Sequence, residues 1–159
     1  MAMNLWNALL IVGISAAPVI ELRGGIPVAI GLGFSPAWAF GLALLGNIAV
    51  VPFLLWGFRW AEKTLMRWRF ARKIMEWVFT RSRRKGKWIQ RLGPLGLVLL
   101  VAIPLPGTGA WTGAIASRLL GIPVRKSLLW ITVGVVIAGI LVLAASLGAF
   151  QLFGLHEAA

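Results

Sequence analysis

The chain has 159 residues, of which 60% are hydrophobic and only 13% are charged, whereas a soluble domain has about 45–50% apolar and about 25% charged residues. This composition excludes an ordinary soluble domain and predicts an all-α integral membrane protein in which residues 1–159 form a single membrane domain. The net charge of +12 comes mainly from twelve basic residues between Arg59 and Arg91, which indicates a cytoplasmic loop beside membrane lipids rather than a nucleic-acid-binding surface. Cysteine is absent, which excludes disulfides, and we expect neither a cofactor nor a metal site.

The first repeat, residues 1–58, reads as a broken apolar segment followed by a spanning helix. We predict a short helix over residues 4–17, a non-helical tip from Pro18 to Gly25, and a return over residues 26–32. Residues 37–58 are apolar and long enough to cross the membrane, with Trp38 and Trp56 near the two ends.

A basic connector and a second repeat follow. Residues 59–92 predict a cytoplasmic amphipathic helix, because tryptophan and apolar residues recur at helical spacing among basic ones over residues 59–79. In residues 93–155 we predict helices over 95–102 and 110–120 around a Pro-Gly break, then a spanning helix from about 124 to 147.

The two halves match each other at an offset of 88 residues. Interrupted apolar segments at corresponding positions of two halves are typical of transporters built as inverted repeats, with the substrate site at the breaks. We therefore predict an inverted repeat of a re-entrant helical hairpin plus a transmembrane helix, with the hairpin tips meeting near the midplane. The alternative is four ordinary spanning helices. Identical pairs at this offset include Pro18 and Pro106, Gly25 and Gly113, Leu32 and Leu120, Gly33 and Gly121, and Gly46 and Gly134.

Three ionisable residues fall within the predicted membrane body, namely Glu21, Arg23 and Arg118. Such residues are costly in a bilayer and usually line a pathway or pair with each other. Glu21 is the candidate for proton or cation coupling, because a desolvated carboxylate can exchange a proton. Arg23 and Arg118 suit an anionic group. The alternatives are a Glu21–arginine ion pair that joins the repeats, and an Arg118 side chain that reaches the cytoplasmic head groups.

Backbone groups freed at the breaks complete the predicted substrate-binding or coupling site. For Asn47, in the first spanning helix, we expect an interhelical hydrogen bond. The sequence contains no paired acids in the membrane body and no Gly-x-Ser-x-Gly motif, so we expect no catalytic residues and no enzyme. Besides the three charged residues, the predicted site includes Gly24, Gly25, Pro104, Pro106, Gly107 and Thr108.

Two motifs carry a family resemblance. Glu21-Leu22-Arg23-Gly24-Gly25-Ile26-Pro27 and Pro104-Leu105-Pro106-Gly107-Thr108-Gly109 resemble the putative small multidrug export family of prokaryotic membrane proteins. More remotely, the second motif with Arg118, Gly121 and Arg125-Lys126 is similar to the DedA superfamily, whose paired re-entrant hairpins are linked to movement of polyprenyl phosphates and other lipids. Glu21 resembles the membrane acid of that superfamily, whereas Gly109 stands where its members commonly have an arginine.

These observations predict a small secondary transporter in the prokaryotic plasma (inner) membrane, multi-pass, with the 59–92 loop cytoplasmic. Its substrate would be amphipathic, such as a polyprenyl or lipid phosphate, and its other partners would be membrane lipids and a second copy in a homodimer. The alternatives are a small multidrug exporter of hydrophobic compounds, a channel or scramblase, and a non-transporting scaffold or assembly factor whose basic loop recruits partners.

Overall fold

The computed structural model describes residues 4–65, 94–103 and 108–152, which form six helices and no strand. The all-helical prediction is confirmed for these residues. Residues 66–93 lie outside them, so the amphipathic connector helix stays a prediction. The helices are α1 (Leu5–Ala16), α2 (Glu21–Gly31), α3 (Pro36–Leu65), α4 (Pro94–Ala102), α5 (Ala110–Leu119) and α6 (Val124–Leu152).

Two of these helices are long and apolar enough to cross a membrane. They are the Pro36–Phe58 part of α3 and the whole of α6. Their outward faces carry large exposed hydrophobic side chains, including Phe53, Trp56 and Ile140, which suit contact with lipid tails. The predicted end of the first spanning helix at residue 58 is wrong, because α3 continues as one helix through residue 65. The composition and these helices identify a membrane protein.

Helix boundaries correspond between the halves at the 88-residue offset. Helix α3 begins at Pro36 and α6 at Val124, and α2 and α5 end at Gly31 and Leu119. The turns before the long helices repeat the same hydrogen bonds: Leu32 N–H donates to the Val28 carbonyl, and Leu120 N–H to that of Ala116, both at 2.9 Å.

Glycine is required at equivalent points of the two turns. Gly33 has φ +83° and Gly121 has φ +68°, a left-handed conformation that glycine adopts readily and other residues rarely do. Each glycine lets the chain reverse within a few residues, so that the short helix returns alongside the long one.

Packing pairs the helices both within and across the halves. Helix α1 packs on α3 and α4 packs on α6, while α2 also contacts α6 and α5 contacts α3. Helices α3 and α6 touch directly. The second helix of each half, α2 or α5, therefore lies against the long helix of the other half.

Small residues permit the close approach of helices within each half. A Cβ atom on Gly46 would collide with the backbone of Val12 in α1, and one on Gly134 would lie 2.7 Å from Val101 Cβ in α4. Because real Cβ atoms do not approach other carbons so closely, both glycines are needed for this packing.

The structure corrects the predicted extent of the first break. Residues 21–25 were expected to be non-helical, but α2 begins at Glu21 and includes Gly24, Gly25 and Pro27. Gly25 is a packing residue, since a Cβ atom there would collide with Ser15 Oγ and lie 3.4 Å from Ala43 Cβ. The break is confined to residues 17–20, where the chain turns between α1 and α2.

Candidate functional site

The two breaks meet at a junction, and the carboxylate of Glu21 lies at its centre. Glu21 is only 5% exposed. Its Oε2 accepts the backbone N–H of Ala110 at 3.3 Å, and its Oε1 accepts that of Trp111 at 3.2 Å. These are the first two residues of α5, whose own N-cap residue, Gly109, makes no side-chain capping bond. Glu21 in the first half thus caps a helix of the second half.

Backbone conformation around Glu21 is unusual. Val19 and Glu21 have φ values of +76° and +50°, and non-glycine residues in this region store roughly 1–3 kcal/mol of strain each. On the opposite side, Gly109 has φ +145°, and a Cβ atom there would collide with the Glu21 carboxylate. The carboxylate reaches the amides only because residue 109 lacks a side chain.

Two helix ends balance the charge of the buried carboxylate. Glu21 lies in the first turn of α2 and accepts hydrogen bonds from the first turn of α5. The N-terminus of a helix carries a partial positive charge, which favours the carboxylate, and the Arg23 guanidinium adds a coulombic attraction.

Arg23 adds a second polar link across the junction. Its Nη2 donates to Thr108 Oγ1 at 2.8 Å and to the carbonyl of Ile103 at 3.3 Å. The Thr108 hydroxyl itself donates to the Ile103 carbonyl at 2.7 Å. Arg23 is half-buried, so a guanidinium group is held at the edge of the junction beside the second break.

An aromatic side chain links the breaks in the opposite direction. The indole Nε1–H of Trp111, in α5, donates to the carbonyl of Ala16, the last residue of α1, at 3.2 Å. The second half thus satisfies a carbonyl at the end of a first-half helix, while Glu21 satisfies amides at the start of a second-half helix.

The structure brings some predicted site residues together and separates others. Glu21, Arg23 and Thr108 share the junction. Gly24 and Gly25 instead allow close packing, Gly24 against Ile20 and Gly25 against Ser15 and Ala43. Arg118 is half-buried in the last turn of α5, about 12 Å along the helix from Ala110 at 1.5 Å per residue. It belongs to the opposite end of that helix, seven residues before the exposed Arg125 in the sequence. Pro104, Pro106 and Gly107 lie outside the described residues.

Sequence reasoning missed the hydrogen bonds of Trp111 and the need for a glycine at position 109, beside the Glu21 carboxylate. Their partners are 88 to 95 residues away, so no local pattern reveals the contacts. The 88-residue offset could have indicated the importance of Gly109, because it aligns Glu21 at the start of α2 with Gly109 at the N-cap of α5. Asn47 was expected to make an interhelical hydrogen bond, but neither of its amide atoms has a partner within the described residues.

Comparison with known proteins assigns the chain to a family. No curated protein and no solved structure shows a significant match to it. A family model described as "putative small multi-drug export protein" matches residues 21–141, a segment that contains Glu21, Arg23 and the second break. The resemblance to that family is confirmed, while that to the DedA superfamily stays a prediction. Because the match covers most of the sequence, the chain belongs to the small multidrug export family.

Proposed function

We propose that this protein is a small secondary transporter that exports amphipathic or hydrophobic compounds across the inner membrane. The observation that carries the proposal is the buried carboxylate of Glu21 in the first half, which accepts two backbone N–H groups of the second half. A carboxylate can gain or lose a proton, so these two bonds can be weakened and restored. The family description supports export as the direction of transport.

Glu21 would couple substrate movement to protons or cations. Protonation removes its charge and turns one oxygen from an acceptor into a donor, which weakens the cap on α5. The first turn of α5 contributes no charged side chain, so Arg23 is the charged group that faces Glu21 from the described residues around the junction. Loss of the cap would let the breaks separate and admit a substrate between the halves.

The inverted repeat would make the site accessible from alternate sides. Two re-entrant hairpins of opposite orientation are supported by the matching helix boundaries and turns of the two halves. They are also supported by the packing of α2 on α6 and of α5 on α3. Charge supports it further: the turn before α6 is followed by Arg125 and Lys126, whereas the equivalent Ala37 and Trp38 are uncharged. Basic residues remain on the cytoplasmic side, which would place the second turn and the 59–92 loop in the cytoplasm. A homodimer would surround the buried polar junction with more protein than one copy provides.

A lipid phosphate is the second candidate substrate, and Arg23 favours it. A half-buried guanidinium that already binds a hydroxyl and a carbonyl can exchange these partners for phosphate oxygens. Arg118, about two turns away, is less suited to contact the same head group.

Transport by the purified protein in proteoliposomes tests the proposal. With an imposed pH gradient, the wild-type protein should move ethidium, a hydrophobic cation, and Glu21→Gln should reduce the rate at least tenfold. Gly57→Ala is the matched control, because Gly57 is exposed with open space around it. Wild-type rates in Glu21→Gln would contradict the coupling role. Movement of a fluorescent polyprenyl phosphate but not ethidium would select the lipid substrate, and movement of neither would favour a scaffold.

A further inference from the structure

Two buried polar side chains of the first half take no part in the junction. Ser15, in the last turn of α1, and Asn47, in the middle of α3, are both 0% exposed. Ser15 Oγ and both amide atoms of Asn47 have no hydrogen-bond partner among the residues that the structure describes. Burying such groups unpaired costs about 1–3 kcal/mol each, so their presence in an apolar core calls for a ligand.

Helix packing places the two side chains in the same region. Helices α1 and α3 cross with Val12 against Gly46, and the Gly25 Cβ position lies against both Ser15 Oγ and Ala43 Cβ. Asn47 is one turn after Ala43 on the same face of α3. Because helical side chains lean toward the N-terminus of their helix, the Asn47 amide leans toward Ala43 and hence toward Ser15.

Small residues border the Ser15 hydroxyl. A Cβ atom on Gly25 would collide with Ser15 Oγ, so glycine at this position allows the hydroxyl to be buried against α2. The neighbouring Ala43 in α3 has only a methyl group.

We propose that Ser15 Oγ and Asn47 Oδ1 bind a monovalent alkali cation, Na⁺ in particular. Neutral hydroxyl and amide oxygens provide the ligands, while divalent ions prefer carboxylates. Helix α1 ends at Ala16, and the C-terminal end of a helix carries a partial negative charge. In transporters, such half-helix ends near a break coordinate Na⁺. The Asn47 Nδ2 amide can donate to a water retained by the ion.

The inference adds a Na⁺ site to the proposed function, apart from the coupling carboxylate of Glu21. It rests on that function only in assigning the bound Na⁺ a role in coupling, since the binding itself requires no transport. The site is separate from Glu21, whose oxygens are occupied by amides of α5.

Thermal unfolding of the purified full-length protein in detergent tests the site. In NaCl, the wild-type midpoint should rise by several degrees and saturate, relative to choline chloride at the same ionic strength. Asn47→Leu and Ser15→Ala should remove this Na⁺-specific rise. Ser117→Ala is the matched control: Ser117 is equally buried, but its hydroxyl donates to the Ala114 carbonyl of its own helix, so the rise should persist.

Three results would overturn the inference. They are an equal effect of both salts on the wild-type protein, a Na⁺-specific rise that persists in Asn47→Leu, and an Asn47→Leu protein that is more stable than wild type in every salt. The last result would indicate that no ligand compensates the burial of the amide. A Na⁺ shift without transport of either ethidium or polyprenyl phosphate would keep the cation site and contradict the proposed function. Transport without any Na⁺ shift would keep the proposed function and contradict the cation site.

Discussion

The Glu21 carboxylate accepts the backbone N–H of Trp111 at 3.2 Å, although the two residues lie in different halves of the chain. Trp111 returns a bond of its own, from the indole to the Ala16 carbonyl at 3.2 Å. Each break therefore satisfies polar backbone groups that the other leaves exposed. In a membrane these groups find no water, so the reciprocal bonds explain how two interrupted helices can be buried together.

Neutralising Glu21 should weaken this junction without removing it. In Glu21→Gln the amide oxygen still accepts one N–H, but the NH₂ group faces the other donor. We expect a loss of about 1–3 kcal/mol in the free energy of unfolding, seen as a lower thermal midpoint. Arg23→Gln should lower the midpoint less, since Arg23 is only half-buried. Equal midpoints for Glu21→Gln and wild type would contradict the capping role.

Gly109→Ala should disrupt the junction more severely than a glycine-to-alanine change at Gly33 or Gly121, in the turns before the long helices. The new methyl group would occupy the position of the Glu21 carboxylate, so both amide bonds should be lost along with transport. Gly121→Ala is the control, because Gly121 has φ +68° but open space around it; its cost should be about 1–2 kcal/mol of backbone strain. Similar thermal midpoints for the two variants would show that the clash is relieved without loss of the cap.

Arg23 and Thr108 should be energetically coupled. In a double-mutant cycle of Arg23→Gln and Thr108→Val we expect a coupling energy of about 0.5–3 kcal/mol, because the two side chains bond directly at 2.8 Å. Thr112→Val should add independently to Arg23→Gln, since the Thr112 hydroxyl donates to Gly109 within its own turn. Additivity of the Arg23 and Thr108 changes would mean that the observed bond contributes nothing.

Gly46→Ala tests the packing of α1 on α3. Its methyl group would meet the Val12 backbone, and forcing the helices apart should cost about 1–3 kcal/mol. Gly57→Ala, in the same helix but in open space, should be neutral or stabilise by up to about 1 kcal/mol, because alanine favours helix. Thermal midpoints of both variants provide the comparison, and an unchanged Gly46→Ala midpoint would contradict this close approach.

Local patterns predicted the long helices and the turns well. Pro36 and the Gly-Ile-Pro sequence before Val124 carry their own signals for the start of a helix, and the offset then aligned the halves. The extent of the first break was predicted wrongly, because Gly24, Gly25 and Pro27 suggest a non-helical segment. Tertiary packing of Gly25 against Ser15 and Ala43 outweighs that local preference.

The chemistry of the junction could be predicted only in part. Charge alone identified Glu21 and Arg23 as the residues of interest, since charged groups are rare in such a chain. Their partners could not be predicted, because the Glu21–Trp111 bond spans 90 residues and involves a backbone amide, which any residue carries. Asn47 shows the converse: its polarity suggested a hydrogen bond, and the fold instead buries it without one among the described residues.

The distance between the two breaks in a lipid bilayer is the most direct measurement. The natural chain has no cysteine, so Val19→Cys and Ile103→Cys can carry a pair of spin labels without further changes; both positions are exposed, at 83% and 45%. Arg23, one turn after Val19, bonds the Ile103 carbonyl, so electron–electron dipolar spectroscopy in liposomes should give a distance well below 30 Å. A distance of about 30 Å or more, the thickness of the hydrocarbon core, would contradict a shared site.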